Sequence, residues 1–229
     1  MLDRLHGSLE REQRFLDEAS HELRTPLGVL RMELDLALER ARTPEELQAA
    51  LRNASSETDR LVRLAEDLLV LSRTRDGSVP LHRQDVSVCE LLEGTAAARS
   101  RTGGRTVRVR CEHGLVARLD PDRIRQAVDN LVDNALRHGG DAASVTMSAS
   151  RAGDTLRISV SDSGPGFSPE VMARGDRGFA RDGDGPDGDR TGLGLAIVAA
   201  IARSHGGRLV LANANGGGAA VATLDLPMS

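Results

Sequence analysis

Leu2, Leu9, Leu16, Leu23 and Leu30 recur every seven residues, and Leu5 and Ala19 fall three positions after Leu2 and Leu16. A seven-residue period puts these side chains on one stripe and predicts a first helix from near Leu2 to about Ala41. Thr43, Pro44 and Glu46 then form a helix start: a capping hydroxyl, a proline at the first helical position and an acid three residues after the cap. In the helix that follows, Leu47, Leu51, Ala54, Leu61, Ala65 and Leu68 continue the stripe to about Ser72. Two long helices joined by a short turn make an antiparallel hairpin whose apolar face stays wet in a single copy. A second copy is expected to cover it, closing a dimeric four-helix bundle; a self-contained hairpin is the alternative.

Past a linker at 75–80, containing Asp76, Gly77 and Ser78, the period changes to two. Val107, Val109 and Cys111 alternate as in a strand, as do Val145, Met147 and Ala149, then Leu156, Ile158 and Val160. Ser87 with Glu90 opens one helix, and Asp120 with Pro121 opens another that reaches about His138. A last helix from about Leu193 to Ser204 precedes strands near Arg208 to Ala212 and Ala219 to Leu226. Elements interleaved this way predict a two-layer α/β sandwich, so the chain as a whole is α+β; the pattern leaves the strand order open.

The 229 residues suffice for one or two domains, and 39% hydrophobic content for a sizeable core. There is no Trp or Tyr and only three Phe, at 15, 167 and 179, so the core is expected to be aliphatic. The net charge is −4, and the first 75 residues hold twelve Arg against fifteen acids, which gives nucleic acid no electrostatic footprint. Cys89 and Cys111, without closely spaced partners, point to neither a disulfide framework nor a zinc site; reduced, cytosolic thiols are expected. The sequence has no apolar run of about 18 residues and no signal-peptide pattern, so it is expected neither to span a membrane nor to be exported.

The stretch Phe15 to Leu27, FLDEASHELRTPL, sets a histidine on the first helix beside a carboxylate, a hydroxyl and a proline. With Leu16 on the seam, His21 lies roughly 500° further around at about 100° per residue and faces solvent. An exposed helical histidine is ordinarily surface decoration, but Pro26 disfavours the helix it sits in, so function constrains this turn. A neutral imidazole nitrogen is a usable nucleophile near its ordinary pKa of about 6.5, and an adjacent carboxylate fixes its tautomer and takes up its positive charge. Ser20 to Leu27, SHELRTPL, resembles without interruption the phosphoacceptor motif of sensor histidine kinases. The resemblance implies that His21 is phosphorylated from ATP and that Glu22 accepts its ring proton. It further implies that Thr25, one turn on, orients water when bifunctional members dephosphorylate their partner. The opening MLDRLHGSLERE resembles the last helix of a HAMP signalling module. This implies the cytoplasmic portion of an inner- or plasma-membrane sensor, with membrane contact only through an N-terminal region outside this sequence; a soluble full-length kinase is the alternative.

Asn130 and Asn134 share a helix face in DNLVDNALRH, ahead of Arg137 and His138. Asparagine is a mediocre helix former, so two on one face suggest a polar task, and their oxygens suit a hard cation such as Mg²⁺; a solvated face is the alternative. The box is similar to the N-L-L-x-N-A-x-K-Y helix of histidine kinases. That implies Asn134 as the magnesium ligand with Asn130 close by, while Arg137 replaces the usual lysine and His138 the usual tyrosine. DSGPGF, Asp162 to Phe167, could be any tight turn after a strand. It resembles the adenine-binding loop of the same superfamily, which implies that Asp162 accepts the exocyclic amine while Gly164 and Gly166 let the backbone approach the base.

TGLGLAIV, Thr191 to Val198, is a glycine-rich helix entry whose free amides attract phosphate, without the lysine of a P-loop. It resembles the second glycine box of histidine kinases, implying nucleotide contacts from Gly192, Leu193 and Gly194, with Arg190 where many members have a glycine. The stretch 176–190 is almost entirely Gly, Asp, Arg and Pro and reads as a mobile loop. Its RGFAR segment partly matches the family's F-box, which implies Arg181 as a γ-phosphate contact.

Four boxes in the family's order imply a homodimeric sensor histidine kinase core with an ATP-binding domain of the GHKL (Bergerat) type. Such a core phosphorylates itself on His21 using ATP and Mg²⁺ and passes the group to an aspartate of a response-regulator receiver domain, with phosphatase activity on the phosphorylated regulator. The implied division is 1–12 for the end of a HAMP-like helix, 13–74 for dimerisation and phosphotransfer, 75–80 for the linker and 81–229 for catalysis. Two competitors stand: a GHKL ATPase of chaperone or gyrase type, which needs no phosphoacceptor helix, and a phosphatase-biased or kinase-deficient scaffold with an altered lid.

Overall fold

The computed structural model describes residues 19–20, 23–38, 43–75, 81–103, 107–140, 144–174, 191–214 and 218–228. Contacts divide the chain into two units, Met1–Leu69 and Val70–Ser229. The first holds helix α1, described over 23–38, and most of helix α2, Pro44–Arg75. The capping box read from the sequence is formed reciprocally: Thr43 N–H donates to Glu46 Oε2 at 3.0 Å, and Glu46 N–H to Thr43 Oγ1 at 3.3 Å. Pro26 lies inside α1 and is buried, whereas Leu27, Met32, Leu38, Leu47 and Leu51 are exposed. Leu2, Leu5, Leu9 and Leu16 of the seam lie outside the described residues, as does the helix end near Ala41.

The second unit runs β1 (Gln84–Ser87), α3 (Val88–Gly103), β2 (Val107–Cys111), β3 (Val116–Leu119), α4 (Pro121–His138), β4 (Val145–Ala152), β5 (Thr155–Asp162), α5 (Pro169–Arg174), α6 (Thr191–Ser204), β6 (Arg208–Ala214) and β7 (Gly218–Pro227). Five strands form one sheet in the order β2-β4-β5-β7-β6, in which only β2 and β4 pair in parallel; β1 and β3 form a separate antiparallel pair. Alternation decides the faces. Met147, Ile158 and Leu224 point to the core, while Ser148, Ser159 and Thr223 point away, the last two sharing a 2.9 Å hydrogen bond. The helix layer packs on the core face, with α3 against β2, α4 against β5, and α6 against β6 and β7. Leu92, Ile124, Leu131, Leu156, Ile197, Ile201 and Leu226 fill the interior, the aliphatic core that the lack of aromatics requires.

Cys89, in the first turn of α3, and Cys111, at the end of β2, form a disulfide with Cα atoms 5.5 Å apart. The expectation of reduced thiols is therefore corrected. Sequence spacing hides the pair, because α3 folds back along β2 and brings together cysteines 22 positions apart. Closing a loop of that size restricts the unfolded chain, so reduction is expected to destabilise the second unit by about 3 kcal/mol. Calorimetry of the full chain with and without dithiothreitol checks this; a double Cys89→Ser, Cys111→Ser chain should melt at the reduced temperature under both conditions.

At the end of this unit remote from β5's C-terminus, a buried histidine joins three segments. His205 Nε2 accepts the Asp120 N–H at 3.2 Å, so Nδ1, 2.9 Å from the Ile201 carbonyl, carries the proton. Asp120 caps α4 by accepting from Asp122 and Arg123, and it also accepts the His82 N–H at 2.9 Å. Burial holds the imidazole below its ordinary 6.5, aided by Arg83 and opposed by the Ile201 carbonyl and Asp120. The unfolded chain therefore protonates His205 at a higher pH than the folded one. Its contribution is fully present above about pH 6.5 and is lost as pH falls from there through the folded pKa, with a slope of up to about 1.4 kcal/mol per pH unit. Urea unfolding at several pH values should give a steeper acid-side slope for the wild type than for His205→Gln; equal slopes would contradict the linkage.

Candidate active site

The site grows from the C-terminal ends of α4 and β5. Asp120, Pro121 and the buried stripe Ile124, Ala127, Val128, Leu131, Val132 and Ala135 make α4 a well-started amphipathic helix, which leaves Asn130 and Asn134 half-buried beside the stripe. Asn130 Nδ2 is buried and has no hydrogen-bond partner among the described residues. Such a donor costs about 1–3 kcal/mol unless something supplies an acceptor. Arg137 is exposed and His138 half-buried in the last turn. On another side of α4, Arg99 of α3 grips Asp129 at 2.9 Å and also pairs with Asp133. Burial opposes the guanidinium's charge, but the two carboxylates outweigh it and raise its pKa. This clamp fixes the helix that carries the asparagines.

β5 ends at Asp162, which is buried. Its Oδ1 accepts the Gly164 N–H at 2.8 Å, while Oδ2 makes no hydrogen bond among the described residues and is available to a donor. Gly164 lies against Gly139, the residue capping α4: a Cβ at 164 would stand 2.6 Å from Gly139 Cα and 2.8 Å from Asp162 Oδ1. Gly166 has φ +88°, where side chains are disfavoured. Close packing thus requires glycine at 164, and backbone conformation favours it at 166. Gly194 differs, since no described atom lies within 4 Å of a Cβ built there.

Thr191, Gly192, Leu193 and Gly194 form the first turn of α6. That helix packs on α4, and its C-terminal end meets α4's N-terminal end through His205 and Asp120. Its first turn is therefore directed toward the half of α4 that carries Asn134. In the first unit Thr25 is exposed on α1, whereas His21, Glu22 and Arg181 lie outside the described residues. The sequence reading missed Gly139, Ala219 and Asn213, all of which touch the Asp162–Phe167 loop. A signal for Asn213 was present: an asparagine near the end of a strand, just before a glycine run.

A phosphoacceptor-type helix pair leading into a two-layer nucleotide-binding domain defines the class. Residues 11–77 match the family described as His Kinase A (phospho-acceptor) domain, and residues 119–229 the family described as Histidine kinase-, DNA gyrase B-, and HSP90-like ATPase. The signal transduction histidine-protein kinase AfsQ2 of Streptomyces coelicolor is 36% identical over 233 residues, covering 96% of this chain and 43% of that protein. The Acinetobacter baumannii histidine kinase AdeS has the same fold, with TM-score 0.68 over 91% of this chain and 98% of that one at 23% identity. So does the histidine kinase ThkA, solved in complex with response regulator protein TrrA, with TM-score 0.65 over 99% of this chain and 64% of that one at 22% identity. The chain belongs to the histidine kinases, a helical hairpin followed by an α/β ATPase domain. It spans about half the length of the curated relatives it matches.

Proposed function

We propose that this chain transfers the γ-phosphoryl group of ATP to His21 and from there to an aspartate on a response-regulator receiver domain. The observation that carries the reading is the union in one chain of two matched domains. The phosphoacceptor match contains His21, and the ATPase match contains Asn134, Asp162, Gly192 and Gly194. ThkA's complex with a response regulator supports the class of partner.

In the transfer the neutral His21 nitrogen attacks the γ-phosphorus, the bond to the bridging oxygen of ADP breaks, and Glu22 takes the ring proton. Asp162 Oδ2 accepts the adenine amine. A phosphate oxygen satisfies the buried Asn130 Nδ2, and the amides of Gly192, Leu193 and Gly194 at the start of α6 hold the polyphosphate, with Arg137, His138 and Arg181 adding donors. The half-buried amides of α4 fit a hard cation: Mg²⁺ held by Asn134 beside Asn130 would neutralise phosphate charge. Thr25, exposed one turn from position 21, orients water toward the regulator's acyl phosphate and gives phosphatase activity.

Leu27, Met32, Leu38 and Leu51 are 52%, 54%, 84% and 58% exposed in a single copy, which supports a homodimer closing a four-helix bundle. Light scattering should find the full chain dimeric at micromolar concentration and the segment from about residue 80 monomeric. A monomeric full chain would refute the bundle. Among the described residues no helix is long and apolar enough to cross a membrane. We propose that the chain is the cytoplasmic part of a longer membrane sensor, a compartment in which the Cys89–Cys111 bond is open to reduction.

Incubation with γ-labelled ATP and Mg²⁺ tests the central reading: the label should be lost in acid and retained in alkali. Nucleotide binding without any label would favour the kinase-deficient scaffold raised by the altered lid, where Arg190 stands at a usual glycine position.

A further inference from the structure

We propose that Asn213 is a positioning residue for the adenine loop, and that through it the end of β6 sets the affinity for adenine nucleotides. The inference rests on reading Asp162 as the adenine acceptor. Asn213 lies near the end of β6, where the register against β7 shifts between Asn213 and Ala214. Its carboxamide reaches across to the loop. Oδ1 accepts the Phe167 N–H at 2.7 Å, and Nδ2 donates to the Phe167 carbonyl at 2.9 Å. One side chain thus pairs with both backbone groups of one residue, as a neighbouring strand would, where no strand runs.

A second grip comes from the other arm of the same hairpin. Gly164 O accepts the Ala219 N–H at 2.8 Å, and Ala219 holds φ +58°, an uncommon conformation for a residue with a side chain. The hairpin therefore holds both ends of Gly164–Phe167, with the left-handed Gly166 between them. Gly139 backs the loop from α4. Asp162 depends on this arrangement, because Oδ1 is committed to the Gly164 N–H and Oδ2 is thereby set for the base. Without Asn213 the Phe167 end is free in the empty protein, and every binding event must order it again.

The test uses the full chain with Asn213→Ala and Asn213→Ser, the latter keeping a hydroxyl that can replace one of the two bonds. Asn213→Ala should raise the calorimetric Kd for ADP and the KM for ATP about ten-fold, the scale of one to two net hydrogen bonds. Autophosphorylation at saturating ATP should stay within about two-fold, because the groups that transfer phosphate are untouched. Amide exchange at Phe167 should accelerate without spreading into α4, and Asn213→Ser should fall between alanine and wild type. An unchanged Kd, or a fall in the saturated rate with KM unchanged, would overturn the positioning role. Wild-type protein that binds no ADP would instead overturn the reading of the site itself.

Discussion

His21→Gln should abolish incorporation of γ-labelled phosphate while leaving ATP affinity within about two-fold of wild type. Glutamine keeps much of the size and hydrogen bonding of histidine but offers no nucleophilic ring nitrogen, so the P–N bond cannot form. Affinity should be spared because the proposed nucleotide contacts, Asn130, Asn134, Asp162 and the first turn of α6, all belong to the second unit, whereas His21 belongs to the first. Acid and alkali treatment distinguishes the expected phosphoramidate from a phosphate ester or acyl phosphate. Persistent acid-labile labelling in the variant would move the acceptor to another histidine. His205 is a poor alternative, being buried with both ring nitrogens engaged.

Asp162→Asn should weaken ATP binding by roughly 1.5–3 kcal/mol, the scale of a hydrogen bond to a charged group, or about 10- to 150-fold in Kd. Gly164→Ala reaches the same loop by another route. Its Cβ would meet backbone at Gly139 and the Asp162 carboxylate, neither of which can give way like the end of a long side chain, so overpacking should cost about 1–3 kcal/mol of stability and loosen nucleotide binding. Calorimetric titration with and without a denaturation curve separates the two effects. Unchanged affinity in Asp162→Asn would remove that carboxylate from the adenine site.

What the sequence made legible was chiefly local. Asp120 and Pro121 announce α4 because capping is settled by adjacent residues, and Thr43 with Glu46 announce α2 for the same reason. Met147, Ile158 and Val160 show their strands through alternation over eight-residue runs. The strands Gln84–Ser87 and Val116–Leu119 were missed because four residues are too few to establish a period, and the six-residue helix Pro169–Arg174 was missed likewise. Contacts made by the fold were not legible. The strand order, the Cys89–Cys111 bond, the Gly139–Gly164 approach and the Asn213 clamp all join positions far apart in the chain. The boxes could be read because each is contiguous; the residues that brace them were missed because they belong to other elements.

The aliphatic interior has an optical consequence. With no tryptophan or tyrosine in the chain, and Phe167 the one phenylalanine among the described residues, the protein is nearly transparent in the near ultraviolet. Absorbance from a bound adenine ring therefore stands against almost no protein background, and occupancy can be read directly from a sedimenting or eluting peak. The same darkness removes any intrinsic indole signal for unfolding. A Phe167→Trp chain would introduce a single indole fluorophore, half-buried where the Asp162–Phe167 loop meets the β6–β7 hairpin, and its emission would report that junction alone.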